Sequence, residues 1–402
     1  MKACVPVWSV CRRHTLFFVP VLLAISGCGE DAASPTGPAP GTAVQAAATA
    51  QALSFRQVSA GASHSCGVTP DDRAYCWGFN GAGQLGDGTT DVRFLPVAVL
   101  GDIRFRHVNV GYYHTCGVTI NDRAYCWGDN FYGQLGDGTT TNRLAPGVVA
   151  GGRRFRQIRA GAVHTCAITT SDVAFCWGVG GPLGDGANTQ RLTPVRVLGG
   201  LRWRQLGGGG AHTCGVTTDD RAYCWGNNGS GELGDGTRIS RPRPVAVAGG
   251  LLFRQIDGGN NHTCGVTTAD KAYCWGFGGV GQVGDGATTA YNVRPVAVAG
   301  QRRFHHVNAG YQHTCGVTLA GRGFCWGSNG DGRLGDGTTT TRLTPVPVGN
   351  DLILAQVSAG IQHTCAVTPD DRAFCWGSNG TGQIGVIPAG QYPSPVQVVG
   401  PM

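Results

Sequence analysis

The sequence predicts an all-β protein: a seven-bladed β-propeller of about 50-residue repeats, preceded by a signal peptide and a flexible linker. A stretch like HSCGVTPDDRAYCWGFNGAGQLGDGTT recurs seven times, with a period of 48 to 51 residues. Each copy contains short extended segments between turn signals and has no helix-length apolar period. Glycine, at 68 of 402 residues, recurs at fixed places in each copy, as turn residues do.

Residues 1–27 have the layout of a lipoprotein signal peptide. Two arginines precede an apolar run over residues 16–25, which is too short to span a bilayer comfortably. The run ends in ISGC, which resembles a bacterial lipobox. That resemblance implies cleavage before Cys28 and lipid attachment to its thiol. A plain signal peptide or a buried apolar segment is the alternative.

Residues 28–54 are predicted to be the lipidated Cys28 followed by a flexible linker, because the segment is rich in small residues and proline and has no periodicity. The propeller is then predicted over residues 55–402. Gly29 follows the cysteine, which favours sorting to an outer membrane. We therefore predict a bacterial cell-envelope protein, lipid-anchored on the outer membrane or the extracellular side.

Each copy contains a predicted β-hairpin that brings two cysteines together. In the first copy, HSCGVT and RAYCWG are two strands joined by the three-residue loop PDD. This register places Cys66 opposite Cys76 in a non-hydrogen-bonded pair, with Cα atoms about 4.5 Å apart. It also places Gly67 opposite Tyr75, where we expect the glycine to leave room for the aromatic ring.

All seven copies keep the same gap between their cysteines, and we predict a disulfide in each. An exported chain meets an oxidant, which favours disulfides. The alternative is a zinc site, because His64 shares a strand face with Cys66 and lies near Cys76. The predicted disulfides are Cys66–Cys76, Cys116–Cys126, Cys166–Cys176, Cys214–Cys224, Cys264–Cys274, Cys315–Cys325 and Cys365–Cys375.

Two further extended segments flank the hairpin, FRQVSAG before it and LPVAV after the glycine-rich loop, so each copy supplies four strands. Four-stranded copies arranged in a closed ring leave no long exposed sheet edge. The tryptophan of each CWG is expected to pack between blades. The sequence leaves open whether the last strand, SPVQVV, closes its own blade or completes the first one.

The repeat VSAGASHSCGVTPDDRAYCWGFNGAGQLGDGTT resembles the regulator of chromosome condensation repeat. The family pattern runs Gly-x-x-His-Ser/Thr, an apolar strand, and then Trp-Gly-x-Asn-x-x-Gly-Gln-Leu-Gly. The resemblance covers residues 55–400 and implies a seven-bladed propeller. Cysteines at two facing hairpin positions depart from the usual family pattern and suit an oxidising compartment.

The recurring histidines and the aspartates of LGDGT are predicted to be structural, because a catalytic site needs one distinctive constellation. We expect the histidines to bond backbone groups and the Asp-Gly pairs to form turns. Calcium binding or a sialidase-type aspartate box is the alternative for the aspartates. Asp129 and Asp331 occur in single copies and are too few for a catalytic set. We predict no enzymatic activity, cofactor or metal.

Function is expected where the copies differ, because the shared residues build the blades. The pair of residues before each histidine and the loop after each Trp-Gly vary most, and the topology places both on one face. Exposed aromatic residues there suit contacts with protein or glycan, whereas packing of loop on loop is the alternative. The predicted binding-face residues are Tyr112, Tyr113, Phe131, Tyr132, Tyr311, Phe79 and Phe277.

The favoured function is a lipid-anchored, extracytoplasmic binding or scaffold module, expected to be monomeric, with an unknown protein or glycan partner. Without residues 1–27 the chain has 28 basic and 24 acidic residues, which is no nucleic-acid footprint. The family resemblance implies guanine-nucleotide exchange as one alternative, but export would remove the chain from GTPases. An envelope hydrolase or lyase, or a purely structural envelope role, is a further alternative.

Overall fold

The computed structural model describes residues 53–349 and 352–400. Within these residues, 28 strands form seven four-stranded antiparallel sheets, which confirms the predicted seven-bladed propeller. The predicted signal peptide, Cys28 and the linker up to residue 52 lie outside the described residues. No helix capable of crossing a bilayer occurs in the part of the chain that the structure describes.

The strands follow one another in chain order, four to a blade. Blade 1 contains β1 Gln57–Ala60, β2 His64–Val68, β3 Ala74–Gly78 and β4 Arg93–Ala98. Blade 2 contains β5 Phe105–Val110, β6 His114–Thr119, β7 Ala124–Gly128 and β8 Arg143–Val148. Blade 3 contains β9 Phe155–Ala160, β10 His164–Thr169, β11 Ala174–Gly178 and β12 Arg191–Arg196.

The remaining four blades repeat this order. Blade 4 contains β13 Trp203–Gly208, β14 His212–Thr217, β15 Ala222–Gly226 and β16 Arg241–Ala246. Blade 5 contains β17 Phe253–Gly258, β18 His262–Thr267, β19 Ala272–Gly276 and β20 Asn292–Ala297. Blade 6 contains β21 Phe304–Ala309, β22 His313–Thr318, β23 Gly323–Gly327 and β24 Arg342–Pro347. Blade 7 contains β25 Gln356–Ala359, β26 His363–Val367, β27 Ala373–Ser378 and β28 Gln391–Gln397.

We call the four strands of a blade a, b, c and d in chain order. The a strands of neighbouring blades contact one another and line an axial channel, and the d strands form the outer edges. The b–c hairpin has the predicted register, with Cys66 paired to Cys76 and Gly67 to Tyr75. All seven cysteine pairs are bonded, with Cα–Cα distances of 4.0 to 4.1 Å.

The space beside Gly67 is filled by Phe55, so the prediction that Tyr75 would fill it was wrong. A Cβ on Gly67 would lie 2.4 Å from Cδ1 of Phe55. Phe55 precedes strand a and its ring covers Gly67, and Tyr75 packs against that ring edge-to-face at a centroid distance of 6.3 Å. Phe105 fills the space beside Gly117 in the same way in blade 2.

The hydrophobic core lies between consecutive blades. The cluster between blades 1 and 2, for example, joins Val68 and Leu85 of the first blade to Phe105 and Trp127 of the second. The tryptophans therefore pack between blades as predicted, and all seven are fully buried. In six blades the indole N–H also donates to a backbone carbonyl of the preceding blade, as from Trp177 to Gln134.

Blade 7 closes with its own fourth strand, β28, which settles the open question of ring closure. The ring is completed by packing blade 7 against blade 1. Ser54 forms a β-bridge with Arg372, and the Trp77 indole donates to the Gln383 carbonyl at 3.0 Å. Within residues 53–349 and 352–400, no strand is exchanged between the first and last blades.

Candidate functional site

A continuous belt of hydrogen bonds encircles the propeller through the recurring histidines. Nε2 of each histidine lies 2.8 to 2.9 Å from a hydroxyl oxygen at the start of strand b in the next blade, so the bond joins blade to blade. The histidines thus have the structural role that the sequence predicts, but each bonds a side-chain hydroxyl where a backbone group was expected. The seven pairs are His64–Thr115, His114–Thr165, His164–Thr213, His212–Thr263, His262–Thr314, His313–Thr364 and His363–Ser65.

The geometry fixes the tautomer of these histidines. The Thr115 hydroxyl donates its only proton to the Gln84 carbonyl at 2.8 Å, so it can accept only from Nε2–H of His64. Nδ1 is left without a partner in all seven copies. Burial keeps these rings neutral: it lowers the pKa of His64 to about 3 and that of His164 to about 4.

A ring of glycines lies directly against this belt and explains why a glycine follows every a strand. A Cβ on Gly61 would lie 2.4 Å from the Gly111 carbonyl oxygen, and a Cβ on Gly111 would lie 2.4 Å from that of Gly161. The series continues around the whole ring and returns from Gly360 to Gly61. The blades meet at backbone contact distance here, and only glycine fits.

The recurring aspartates of LGDGT hold their own turns. Asp87 accepts from Asn80 and Thr89 through Oδ1 and from Nε of Arg93 at 2.9 Å through Oδ2. Burial acts to raise the pKa of Asp87, but the bonds from Arg93 and Thr89 outweigh it and the pKa is lowered. Among the described residues, no three His, Cys, Asp or Glu side chains converge to hold a metal ion.

The two variable segments lie on one face, as the topology predicts. The backbone N–H after each Trp-Gly donates to the carbonyl of the residue before the histidine, as from Phe79 to Ser63 and from Asp129 to Tyr113. We call this side of the propeller the histidine face. The Asp129 carboxylate also accepts from Gln134, which in turn accepts from the Tyr132 N–H, so this loop is held by several local bonds.

Four of the predicted binding residues form two aromatic pairs on blades 1 and 2, of which Phe79 is partly buried and the other three are exposed, and we call them the aromatic patch: Phe79, Tyr113, Phe131 and Tyr132. Phe131 is 70% exposed, Tyr113 45% and Tyr132 38%. Phe131 and Tyr132 meet edge-to-face at 4.9 Å, and Phe79 meets Tyr113 at 6.5 Å. Large apolar side chains exposed together are typical of interaction surfaces.

Tyr112 and Tyr311 lie together at the mouth of the axial channel and not in the aromatic patch. Their ring centroids are 6.4 Å apart, and the Tyr112 hydroxyl donates to Oδ1 of Asn260 at 2.8 Å. Burial raises the pKa of Tyr112. Phe277 lies in the corresponding loop of blade 5, and its ring covers Gly279, where an added Cβ would lie 2.6 Å from Cζ of Phe277; Phe79 covers Gly81 in the same way.

A third variable position lines the channel, and the sequence reasoning missed it. It is the residue two positions before each glycine of the glycine ring. In most copies its side chain accepts from a backbone N–H of the next blade, as Ser59 does from Val110. Blade 3 has Arg159 here, which cannot accept, and blade 5 has Asp257, whose pKa burial raises to about 6 against the attraction of Arg159. Comparing this position across copies would have found both.

The seven hairpin-stapled blades and their interblade belt define a closed, repeat-built β-propeller. The RCC1-like domain model matches residues 24–316, and RCC1 repeat models match 304–333, 354–383 and 320–367. The chain therefore belongs to the RCC1-like domain family. No curated protein matches the sequence.

Solved structures share this fold at low sequence identity. Prp20p from Saccharomyces cerevisiae superposes with a TM-score of 0.73 at 20% identity, covering 86% of this chain and 87% of that chain. Human WBSCR16 superposes with a TM-score of 0.71 at 19% identity, covering 78% of this chain and 86% of that chain. At this level of sequence identity, the similarity shows a shared fold and nothing further.

Proposed function

We propose that this chain is a non-catalytic, protein-binding propeller of the cell envelope, which holds a protein partner through the aromatic patch. The observation that carries the proposal is Phe131, which is 70% exposed on a loop held by local hydrogen bonds. An aromatic ring presented by an ordered loop loses little conformational entropy on binding and gains much from burial.

Structures of the same fold support a protein partner. Prp20p is described with its binding to Gsp1p and histones, and yeast RCC1 is seen bound to Kap60. The belt, the glycine ring and the aspartate turns use the recurring polar residues for folding, which leaves the nonrecurring surface for recognition. No catalytic role is part of the proposal.

The proposed location depends on the N-terminal sequence and on the cysteines. Acylation of Cys28 would attach the protein to a membrane outside the cytoplasm, in line with the lipobox-like ISGC. Seven disulfides are typical of proteins in oxidising compartments and suit export.

Partner capture tests the aromatic patch. Purified protein carrying Phe131→Ser and Tyr132→Ser is compared with wild type in crosslinking to envelope extracts, with captured proteins identified by mass. The matched control is Ile120→Ser, because Ile120 is 47% exposed on the same blade but lies in the b–c turn at the opposite face. We expect a wild-type partner that the double variant loses and the control keeps. A partner retained equally by all three proteins would overturn the proposed patch.

Intact mass of protein purified from membranes tests the location. We expect a chain that begins at acylated Cys28 and gains fourteen hydrogens on reduction of its seven disulfides. Cys28→Ala should abolish the lipid mass. An unprocessed N-terminus with free thiols would contradict both the anchor and the envelope location.

A further inference from the structure

The face opposite the histidine face carries the whole positive excess of the described chain. We call it the basic face and define it by the b–c turns, the d–a connections and the first residues of the a strands. It holds 17 arginine or lysine and 10 aspartate side chains, while the rest of the described chain holds 11 basic and 11 acidic residues. The average charge of the sequence hides this separation.

All seven blades contribute to the basic face. Its basic residues are Arg56, Arg73, Arg104, Arg106, Arg123, Arg153, Arg154, Arg156, Arg202, Arg204, Arg221, Arg254, Lys271, Arg302, Arg303, Arg322 and Arg372. Its aspartates are Asp71, Asp72, Asp102, Asp122, Asp172, Asp219, Asp220, Asp270, Asp370 and Asp371. The charge is spread widely and is not gathered in one pocket, so it fits an extended anionic surface.

Nine of these ten aspartates form ion pairs with arginines of the same face. An arginine near the start of strand a pairs with the last aspartate of its own b–c turn in five blades, as Arg56 does with Asp72 at 2.6 Å and Arg156 with Asp172 at 2.8 Å. Several outer arginines also pair with these aspartates, as Arg73 does with Asp71, whereas Arg154 and Arg202 are exposed and use one N–H each on a backbone carbonyl. The positive field toward solvent therefore comes from the excess of cations over aspartates, to which Arg154 and Arg202 contribute.

The chain enters the propeller at this same face. Phe55 N–H donates to the Asp371 carbonyl at 2.7 Å, and Ser54 bridges Arg372, both in the b–c turn of blade 7. A membrane anchor N-terminal to residue 53 would therefore be joined to the propeller at the basic face and not at the aromatic patch.

We infer that the basic face docks on anionic lipid headgroups, which leaves the aromatic patch turned toward a partner. The inference rests on the proposed envelope location for its biological setting, while the binding itself follows from the charge of the face. Clustered cations near an anionic bilayer gain affinity additively and lose it with salt. A duplex nucleic acid is the other extended polyanion that such a face could meet.

Vesicle flotation tests the inference without an acyl chain. Residues 29–402 suffice, because the seven blades close on one another within residues 53–400. We expect binding to phosphatidylglycerol vesicles that weakens as salt rises, and none to phosphatidylcholine vesicles. Because Cys28 is absent, failure here would leave the mass test of the anchor untouched.

Two matched triple variants distinguish the effect of charge on the basic face from the effect of the protein's overall charge. Arg154→Gln, Arg202→Gln and Arg303→Gln together should lower the partition coefficient by roughly tenfold to a hundredfold. The control is Arg238→Gln, Arg243→Gln and Arg294→Gln, three exposed arginines outside the basic face. Equal loss in both triples, equal binding to both vesicle types, or tighter binding to duplex DNA than to anionic vesicles at the same salt would overturn the inference.

Discussion

The histidine belt and the aromatic patch are adjacent in sequence and opposite in character. His114 is fully buried and has a counterpart in every blade, whereas Tyr113 beside it is 45% exposed and has no tyrosine counterpart in any other blade. The belt joins each blade to the next through one repeated bond. The patch uses two blades only. Recurrence therefore marks the residues that build the ring, and its absence marks residues available for binding.

Acidification should break the belt and have the largest effect. The pKa of six belt histidines is lowered from 6.5 to about 3 or 4 by burial, and that of His313 well below 6.5. Below pH 6.5 the histidines of the unfolded chain take up protons that the buried rings cannot. Each histidine therefore lowers the free energy of unfolding by about 1.4 kcal/mol for every unit that the pH drops below 6.5. Seven such losses together should unfold a protein of ordinary stability at about pH 5.

Tryptophan fluorescence and circular dichroism from pH 8 to pH 3 measure this transition. His164→Gln keeps an N–H donor without a titrating ring and should move the midpoint to lower pH if the protein folds. A wild-type transition that begins only below about pH 4, where carboxylates titrate, would show that the histidines do not control it.

Removing one disulfide should have the next largest effect. Replacing Cys166 and Cys176 together by alanine is expected to lower the free energy of unfolding by about 2 to 4 kcal/mol, because the unfolded chain gains the freedom that the bridge denied it. The same pair of changes at Cys66 and Cys76 should cost a similar amount, since the blades repeat. Urea denaturation measures both, and a reductant that leaves wild-type stability unchanged would argue against bonded cysteines.

A single methyl group in the glycine ring tests its close packing. The Cβ of Gly111→Ala would lie 2.4 Å from the Gly161 carbonyl oxygen and 2.6 Å from Cε1 of His114. We expect a loss of about 1 to 3 kcal/mol in thermal or urea unfolding. Gly330→Ala is the control, because its Cβ would meet nothing within 4 Å. Equal stability of the two variants would mean that the blades can separate at no cost.

Changes in the aromatic patch should have the smallest effect on stability and sharpen the contrast with the belt. Phe131→Ser with Tyr132→Ser is expected to change the free energy of unfolding by no more than about 0.5 kcal/mol, because both side chains are exposed. Urea denaturation beside the capture experiment checks this. A large loss of stability would mean that the patch packs loop on loop.

The sequence predicted the propeller, the hairpin register and the cysteine pairs because each depends on local spacing that repeats seven times. It could not predict that Phe55, and not Tyr75, lies beside Gly67, since Phe55 lies outside the hairpin, just before strand a. It likewise grouped Tyr112 with the exposed aromatic residues. The contact of Tyr112 with Tyr311 and Asn260 depends on the width of the channel, which no single repeat encodes.

Because the seventh blade contains all four of its own strands, the chain termini could be moved to another point of the ring. Phe55 bonds to Asp371 and Val398 bonds to Ala373, so the first and last described strands leave the ring beside the same turn. A short covalent link across this point and a new opening in another d–a connection would preserve every sheet. The propeller is thus suited to circular permutation, in which the position of the tether could be moved from blade to blade without rebuilding the ring.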